Sequence, residues 1–292
     1  MADVNLRRVG IMSVGDMGAG FGDVLRQNGI QVYTCLAGRS DLTRLRAKEA
    51  GFIDTPDLEA LVGQIDLFIS VLVPSEATQL ALDVAAAMIR TGARPAYADA
   101  NAIAPQTVQK IEAIIRDAGA NFVDASIIGG PPRSGYSPHI PCSGPDTAIF
   151  EALGKHALNV NVVGDRIGQA SGLKMVYAAS TKGTTALWTE LLTAARILGL
   201  EDALRAELSE KGIFADQQRS ITMMPNRARR WVGEMEEIAA TFEGVGMTPK
   251  ILLGAADMYT LVGETPLADL TSRDPKPTLD EVLTALQKRL SR

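Results

Sequence analysis

A doubly wound α/β sheet followed by an all-helical domain is the fold that this sequence predicts. Three observations carry the prediction. The first half alternates short β-rich runs with helical patterns, a glycine-rich turn follows the first run, and the stretch from Gln169 to about Leu200 has neither proline nor β-rich patterning. Strands that alternate with helices at this spacing need crossover connections, and so pair in parallel.

The predicted strands are Arg8–Met12, Gln31–Leu36, Leu67–Leu72, Pro95–Asp99, Asn121–Ala125 and Val160–Val163. Helical patterns fit between most of them. In Pro105–Gly119, Val108, Ile111, Ile114, Ile115 and Ala118 fall on one face and Gly119 supplies a stop. A helix over Gln169–Leu200 would be ~45 Å long, too long for one small domain to cover. Its apolar residues Leu187, Trp188, Leu191, Leu192, Ile197 and Leu198 occupy more than one face and call for a further partner surface. Near the C-terminus Thr278 and Glu281 have the spacing of a capping box. The predicted domains are therefore 1–166 and 167–292, joined through the long helix.

Composition narrows the chemistry. With 292 residues, 46% of them apolar and 22% charged, the chain is that of a globular protein. The run Leu67–Val73 stops at Pro74, far short of the ~18 residues that span a bilayer. No basic region, apolar core and cleavage site follow one another at the start, so no secretory signal is expected. A net charge of −5 without a basic stripe argues against a nucleic-acid partner. Cys35 and Cys142 lack metal-ligand spacing, and no metal site is expected. The only histidines are His139 and His156, so enzyme chemistry falls to Lys, Tyr, carboxylates or a cofactor. The expected location is the cytoplasm and the expected partner a small-molecule substrate.

Directly after the first strand comes Ser13-Val14-Gly15-Asp16-Met17-Gly18, a G-x-G-x-x-G turn with Ser in the first place. In such a turn the second glycine lets backbone approach a pyrophosphate and the third lets helix and strand pack closely. The second strand exits as Ala37-Gly38-Arg39-Ser40, with no acid until Asp41. An acid at this position would bond ribose hydroxyls, as for NAD(H); a guanidinium and a hydroxyl suit a 2′-phosphate, as for NADP(H). NADP(H) is favoured, with NAD(H) and a merely solvated arginine as the alternatives. Lys174 is the only charge between Arg166 and Lys182, among apolar neighbours. It reads either as a solvated helix lysine or as a desolvated proton-transfer group, with Tyr177 and Thr181 the polar residues on its face.

Together these segments resemble the β-hydroxyacid dehydrogenases, the family of 6-phosphogluconate and 3-hydroxyisobutyrate dehydrogenases, over nearly the whole chain. Val71-Leu72-Val73-Pro74 matches the family's fourth-strand end, and Val73 and Pro74 would border the cofactor ribose. Asp99-Ala100-Asn101, with Pro105, stands where the family approaches the nicotinamide, which implies a cofactor role for Asn101. Asp124-Ala125-Ser126-Ile127-Ile128-Gly129-Gly130 resembles D-A-P-V-S-G-G, which implies carboxylate binding by Ser126, Gly129 and Gly130. Gly168-Gln169-Ala170-Ser171-Gly172-Leu173-Lys174 resembles the family segment that carries the catalytic lysine and implies that Lys174 is catalytic.

Departures from the family pattern matter as much. Ile128 replaces the family's carboxylate-binding Ser, and Ala178 stands where Asn is expected, so Tyr177 takes over substrate orientation. Thr181 replaces the acid of 6-phosphogluconate dehydrogenase, which argues against 6-phosphogluconate as substrate. Tyr177–Gly183 and Arg230–Glu237 resemble a subgroup with a Y-A-A-x-T-K-G run and a W-x-G-E-M-E-E-type motif; core packing is the alternative reading of Trp231 and Met235. Arg133, Ser134, Tyr136 and His139 follow Gly130 and either shape the pocket or form a solvated loop. The resemblance implies an NADP-dependent oxidoreductase of small hydroxy acids, working as a homodimer. An imine reductase on the same fold and a non-catalytic NADP(H)-binding sensor are the alternatives.

Overall fold

The computed structural model describes residues 5–209, 214–271 and 273–291, and the chain divides into two compact units, Met1–Met175 and Val176–Arg292. The first unit is built on β1 (Arg8–Met12), β2 (Gln31–Cys35), β3 (Ile53–Thr55), β4 (Leu67–Ser70), β5 (Ala96–Asp99), β6 (Phe122–Ala125), β7 (His139–Ser143) and β8 (Asn159–Gly164). They form one eight-stranded sheet in the order β3-β2-β1-β4-β5-β6-β7-β8. Pairing is parallel from β3 across to β6. The chain reverses its direction of travel between β1 and β4, the switch point where open sheets of this kind bind ligands at their carboxyl edge. Connections run through α1 (Asp16–Gln27), α2 (Asp41–Glu49), α3 (Leu58–Val62), α4 (Ala77–Thr91), α5 (Pro105–Asp117) and α6 (Ala148–Glu151).

Alternation along the strands feeds two apolar layers. Val9, Ile11, Leu67, Ile69, Ala96, Ala98, Val123 and Ala125 point to one face with Phe21 and Leu25 of α1. Met12, Phe68, Tyr97 and Phe122 point to the other, with Val84 and Met88 of α4 and Ile111 of α5. On that face Phe68, Tyr97 and Phe122 lie on adjacent strands in register, and their rings stack at 5.1 and 5.9 Å.

The predicted list of strands is corrected in two places. Neither β3 nor β7 is among the predicted strands, and β7 runs antiparallel to β6. β3 has only three residues, too few for a period to register. β7 carries Pro141 at its centre, which lacks the N–H of a central strand and reads as a break. Pro141 nevertheless accepts through its carbonyl, from the Ser126 amide at 2.9 Å.

The predicted Gln169–Leu200 helix is helical throughout but not uniform. α7 (Gln169–Ala178) passes through a π-turn at Ala179–Gly183 into α8 (Thr184–Ile197). The division between the compact units falls inside α7, after Met175. The reason is local: the first turn of α7 is hydrogen-bonded to Asp124 of β6.

In the second unit α8 is followed by α9 (Glu201–Ser209), α10 (Phe214–Met223), α11 (Ala228–Gly244), α12 (Lys250–Gly263) and α13 (Leu279–Leu290). The capping box of α13 is formed: Thr278 Oγ1 accepts from the Glu281 amide and Glu281 Oε2 from the Thr278 amide. Thr185, Thr189 and Thr193 are buried, each hydroxyl donating to the carbonyl four residues back. Lys182 of the π-turn forms an ion pair with Glu234 of α11, their side chains only 16% and 11% exposed. The same ammonium lies 5.4 Å from the Trp231 ring centre, and Tyr259 donates its hydroxyl to the Lys182 carbonyl at 2.7 Å. Leu192 is fully covered within the chain, whereas Leu187, Ile197 and Leu198 are exposed. No helix among the described residues is long and apolar enough to cross a membrane.

Candidate active site

The β1–α1 turn is drawn against the carboxyl end of β4: the Ser13 amide donates to Val71 O at 3.0 Å and the Val71 amide to Met12 O. A β-carbon on Gly18 would come within 2.1 Å of the Ser13 carbonyl oxygen, so only glycine lets the helix lie this close. A β-carbon on Gly15 would meet nothing within 4 Å. Gly15 is also the N-cap of α1, and no side chain caps the helix. The turn thus leaves open space above helix N–H groups, the arrangement that takes a diphosphate. Val14 is buried with Leu36 and Ala47, Met17 packs on the core, and Asp16 is held by Arg46 at 2.6 Å; what these three present is backbone.

At the end of β2, Arg39 is exposed and Ser40 caps α2, its Oγ accepting from the Thr43 amide at 3.3 Å. The turn is clamped by Arg44, whose guanidinium donates to Leu36 O at 2.7 Å and to Arg39 O at 3.3 Å. Sequence reasoning missed Arg44 because nothing in a short polar helix distinguishes one arginine from another. Arg39 and Gly38 line a cavity of about 590 Å³ with Met12, Cys35, Leu58 and Leu80. The same cavity is also lined by Asp57, Glu59, Asp83 and Arg90.

Asn101 turns its side-chain amide into the sheet edge. It is buried, its Oδ1 accepts from the Leu72 amide at 2.6 Å, and its Nδ2 donates to Ser70 Oγ at 2.8 Å and Asp99 Oδ2 at 2.9 Å. Its side chain therefore ties β4 to β5 and shapes the exit toward Val73 and Pro74, where Val73 is exposed and Pro74 opens a 3₁₀ turn. Asp99, accepting also from the Asn101 amide, is fully buried, and burial pushes its carboxyl up to about 7. Asp124 faces it on the adjacent strand and adds repulsion.

Asp124 is the residue whose role the sequence did not reveal. One oxygen, Oδ2, accepts from the amides of Gly168, Ala170 and Ser171 and from the hydroxyls of Ser143 and Ser171, at 2.9–3.3 Å. Burial still pushes its carboxyl up to about 6. The signal available was an acid at a strand end preceding, at a distance, a Gly-initiated helix. From that helix the half-buried Lys174 donates its ammonium to the Ile127 carbonyl. Lys174 is thereby brought to the loop that holds Ser126, Gly129 and Gly130. Ser126 is buried, and among the described residues its hydroxyl has no hydrogen-bond partner. Gly129 adopts φ +139°, a conformation that L side chains rarely take, and the Gly130 amide donates to Tyr136 Oη at 3.3 Å. Tyr177 and Thr181 are exposed, and the Thr181 hydroxyl turns back to the carbonyls of Tyr177 and Ala178.

Residues 8–164, more than half of the chain, match the model of the NAD-binding domain of 6-phosphogluconate dehydrogenase. The chain belongs to this family. Beyond the dehydrogenase-type unit, residues 195–262 match a domain of unknown function, DUF1932. An uncharacterized 28.5 kDa protein in the 7S RNA 5′ region of Methanothermus fervidus is 32% identical over 203 residues, 70% of this chain and 76% of that protein. A conserved protein of unknown function, whose structure is described as similar to 3-hydroxyacid dehydrogenases, is 31% identical; the match covers 87% of this chain and 97% of that one, with a TM-score of 0.68. The Mycobacterium tuberculosis 3-hydroxyisobutyrate dehydrogenase shares the fold at 17% identity, with 99% and 100% coverage and a TM-score of 0.68. An imine reductase from Myxococcus stipitatus in complex with NADP+ does so at 17% identity, with 96% and 99% coverage and a TM-score of 0.56.

The buried carboxyls at the ends of β5 and β6 give the unit an unusual pH dependence. Asp99 and Asp124 hold protons in the native state to about 7 and about 6, against 3.8 when exposed. Between those values the native state binds more protons than the unfolded one, so stability falls as pH rises. Urea unfolding is expected to yield a free energy lower at pH 8 than at pH 5 by on the order of 2–4 kcal/mol. Asp99→Asn should flatten that slope, and an unchanged slope would assign it to other groups.

Proposed function

We propose that this chain is an NADP-dependent oxidoreductase that moves a hydride between nicotinamide and the alcohol or carbonyl carbon of a small β-hydroxy acid. The observation that carries the reading is the Lys174 ammonium held on the Ile127 carbonyl, on a helix whose first turn is fastened to β6. Membership of the dehydrogenase family supports it, as does the open, uncapped turn at Gly15. A bound nicotinamide supplies or accepts the hydride. Lys174 gives a proton to the developing alkoxide in reduction and its charge stabilises that oxygen; in oxidation it takes the proton. Ser126, Gly129 and Gly130 hold the substrate carboxylate, and Tyr177 and Thr181 orient the substrate. Arg39 and Ser40 meet the 2′-phosphate, and the backbone of Ser13–Gly18 meets the diphosphate. The retained lysine favours a carbonyl over an imine as the group reduced.

Fluorescence titration should give a lower Kd for NADPH than for NADH. Arg39→Ala should narrow that gap by about 1–3 kcal/mol, as for a lost charge-assisted hydrogen bond. Tighter NADH binding by the unaltered protein would overturn the cofactor assignment.

Lys174→Met should leave NADPH binding intact and lower kcat about a hundredfold or more on whichever hydroxy acid or carbonyl is turned over. A variant with normal kcat, or turnover confined to imines, contradicts the reaction as proposed.

The working form proposed is a homodimer. In the second unit Leu187, Ile251, Leu252 and Ala255 line an apolar groove of about 450 Å³, and Ile251 is 76% exposed. Light scattering at micromolar concentration should give twice the 31.0 kDa chain mass, whereas an active monomer would exclude the dimer.

A further inference from the structure

The loop that begins at Ser126 carries a polar group outside the reading above. After Gly130 the chain folds back as a small hairpin in which Ile128 pairs with His139 and Arg133 with Tyr136. Its start is seated on α1: a β-carbon at Gly20 would meet the Pro132 carbonyl oxygen at 2.6 Å, so backbone packs against backbone there. Tyr136, 41% exposed, accepts the Gly130 amide on its phenol oxygen, and the same oxygen covers Gly129, 2.7 Å from where a β-carbon would stand. The Arg133 guanidinium lies on the face of the ring, 5.5 Å from its centre, and no carboxylate pairs with it among the described residues.

A phenol oxygen that accepts from an amide keeps its own hydrogen for another partner. The Tyr136 O–H is thereby a donor that this loop offers outward beside the glycine backbone, with a cation against its ring. We propose that Tyr136 is a substrate-binding residue whose phenol O–H, backed by the Arg133 charge, receives the anionic group of the substrate on the loop whose other end holds Lys174. The identity of that loop as the substrate site rests on the function proposed above. A second consequence is selectivity: a hydroxyl donor beside a guanidinium favours a carboxylate over its neutral amide.

The test is calorimetric, on the NADPH-loaded protein, with 3-hydroxypropionate and its neutral amide as probes; both are already reduced, so no turnover intervenes. The unaltered protein should bind the acid more tightly than the amide. Tyr136→Phe should weaken the acid about tenfold and leave the amide and NADPH unchanged. Arg133→Gln should weaken the acid and reduce the salt dependence of its binding. Tyr136→Phe binding the acid as well as or better than the unaltered protein overturns the proposal, because the phenol would then merely occupy the Gly130 amide. Equal binding of acid and amide by the unaltered protein overturns it too. Failure of the wider reading appears elsewhere, as absent NADPH binding or a Lys174→Met variant with normal kcat. The acid-against-amide comparison of the Tyr136 pair can then be read on the cofactor-free protein.

Discussion

A single carboxylate oxygen sets the position of the candidate proton donor. The first N–H groups of a helix have no partner within it, and at the start of α7 Ala170 and Ser171 are buried from water. Asp124 Oδ2 takes three of these donors together with two serine hydroxyls. A negative charge there also suits the positive end of the helix. Because the anchor lies on β6 and Lys174 follows Ser171 by less than one turn, the lysine's angular position is fixed relative to the loop leaving the same strand. The raised carboxyl of Asp124 shows that even five donors do not fully offset the desolvation of a buried acid.

The carboxyl edge of the sheet repeats the device at a second point. Asn101 spends its amide on Ser70, Leu72 and Asp99, so that the ends of β4 and β5 are joined by side chain as well as by ladder. Arg44 does the same for the end of β2 through two carbonyls. The loops at this edge are thus held by side chains bonded to backbone and to one another. Such residues are invisible to a reading that looks for groups able to touch a ligand.

That explains what was and was not legible in the sequence. The strands from β1 to β6 with continuous apolar character were readable, because burial on both faces leaves little else for them to be. The Ser13–Gly18 turn and Lys174 were readable because each breaks its surroundings, a glycine cluster after a strand and a lone charge in an apolar helix. β7 was not, since Pro141 signals a break while its carbonyl still joins the sheet. Asn101 was read as facing the cofactor, whereas the structure turns its amide inward. Asp124 looked like part of a motif, and its partners on α7 lie more than forty residues away, beyond any local pattern. In the second unit, Trp231 stands against both Tyr259 and the Lys182 ammonium. It is part of a charged cluster, which a spacing of four on a helix could not distinguish from plain core packing.

The π-turn at Ala179–Gly183 carries a consequence for how this chain is compared with others. One residue advances an α-helix by about 100°, so a turn that takes in an additional residue rotates everything after it by that amount relative to an uninterrupted helix. Lys182, within the turn, is paired with Glu234 and lies against Trp231, and the threonine ladder of α8 follows the turn. Against any relative whose helix stays regular, positions counted forward from Lys174 correspond up to Ala178 and then slip by one. A residue seven places after the lysine in such a relative is therefore not the spatial counterpart of Thr181, and roles assigned by counting across this turn would fall on the wrong side chain.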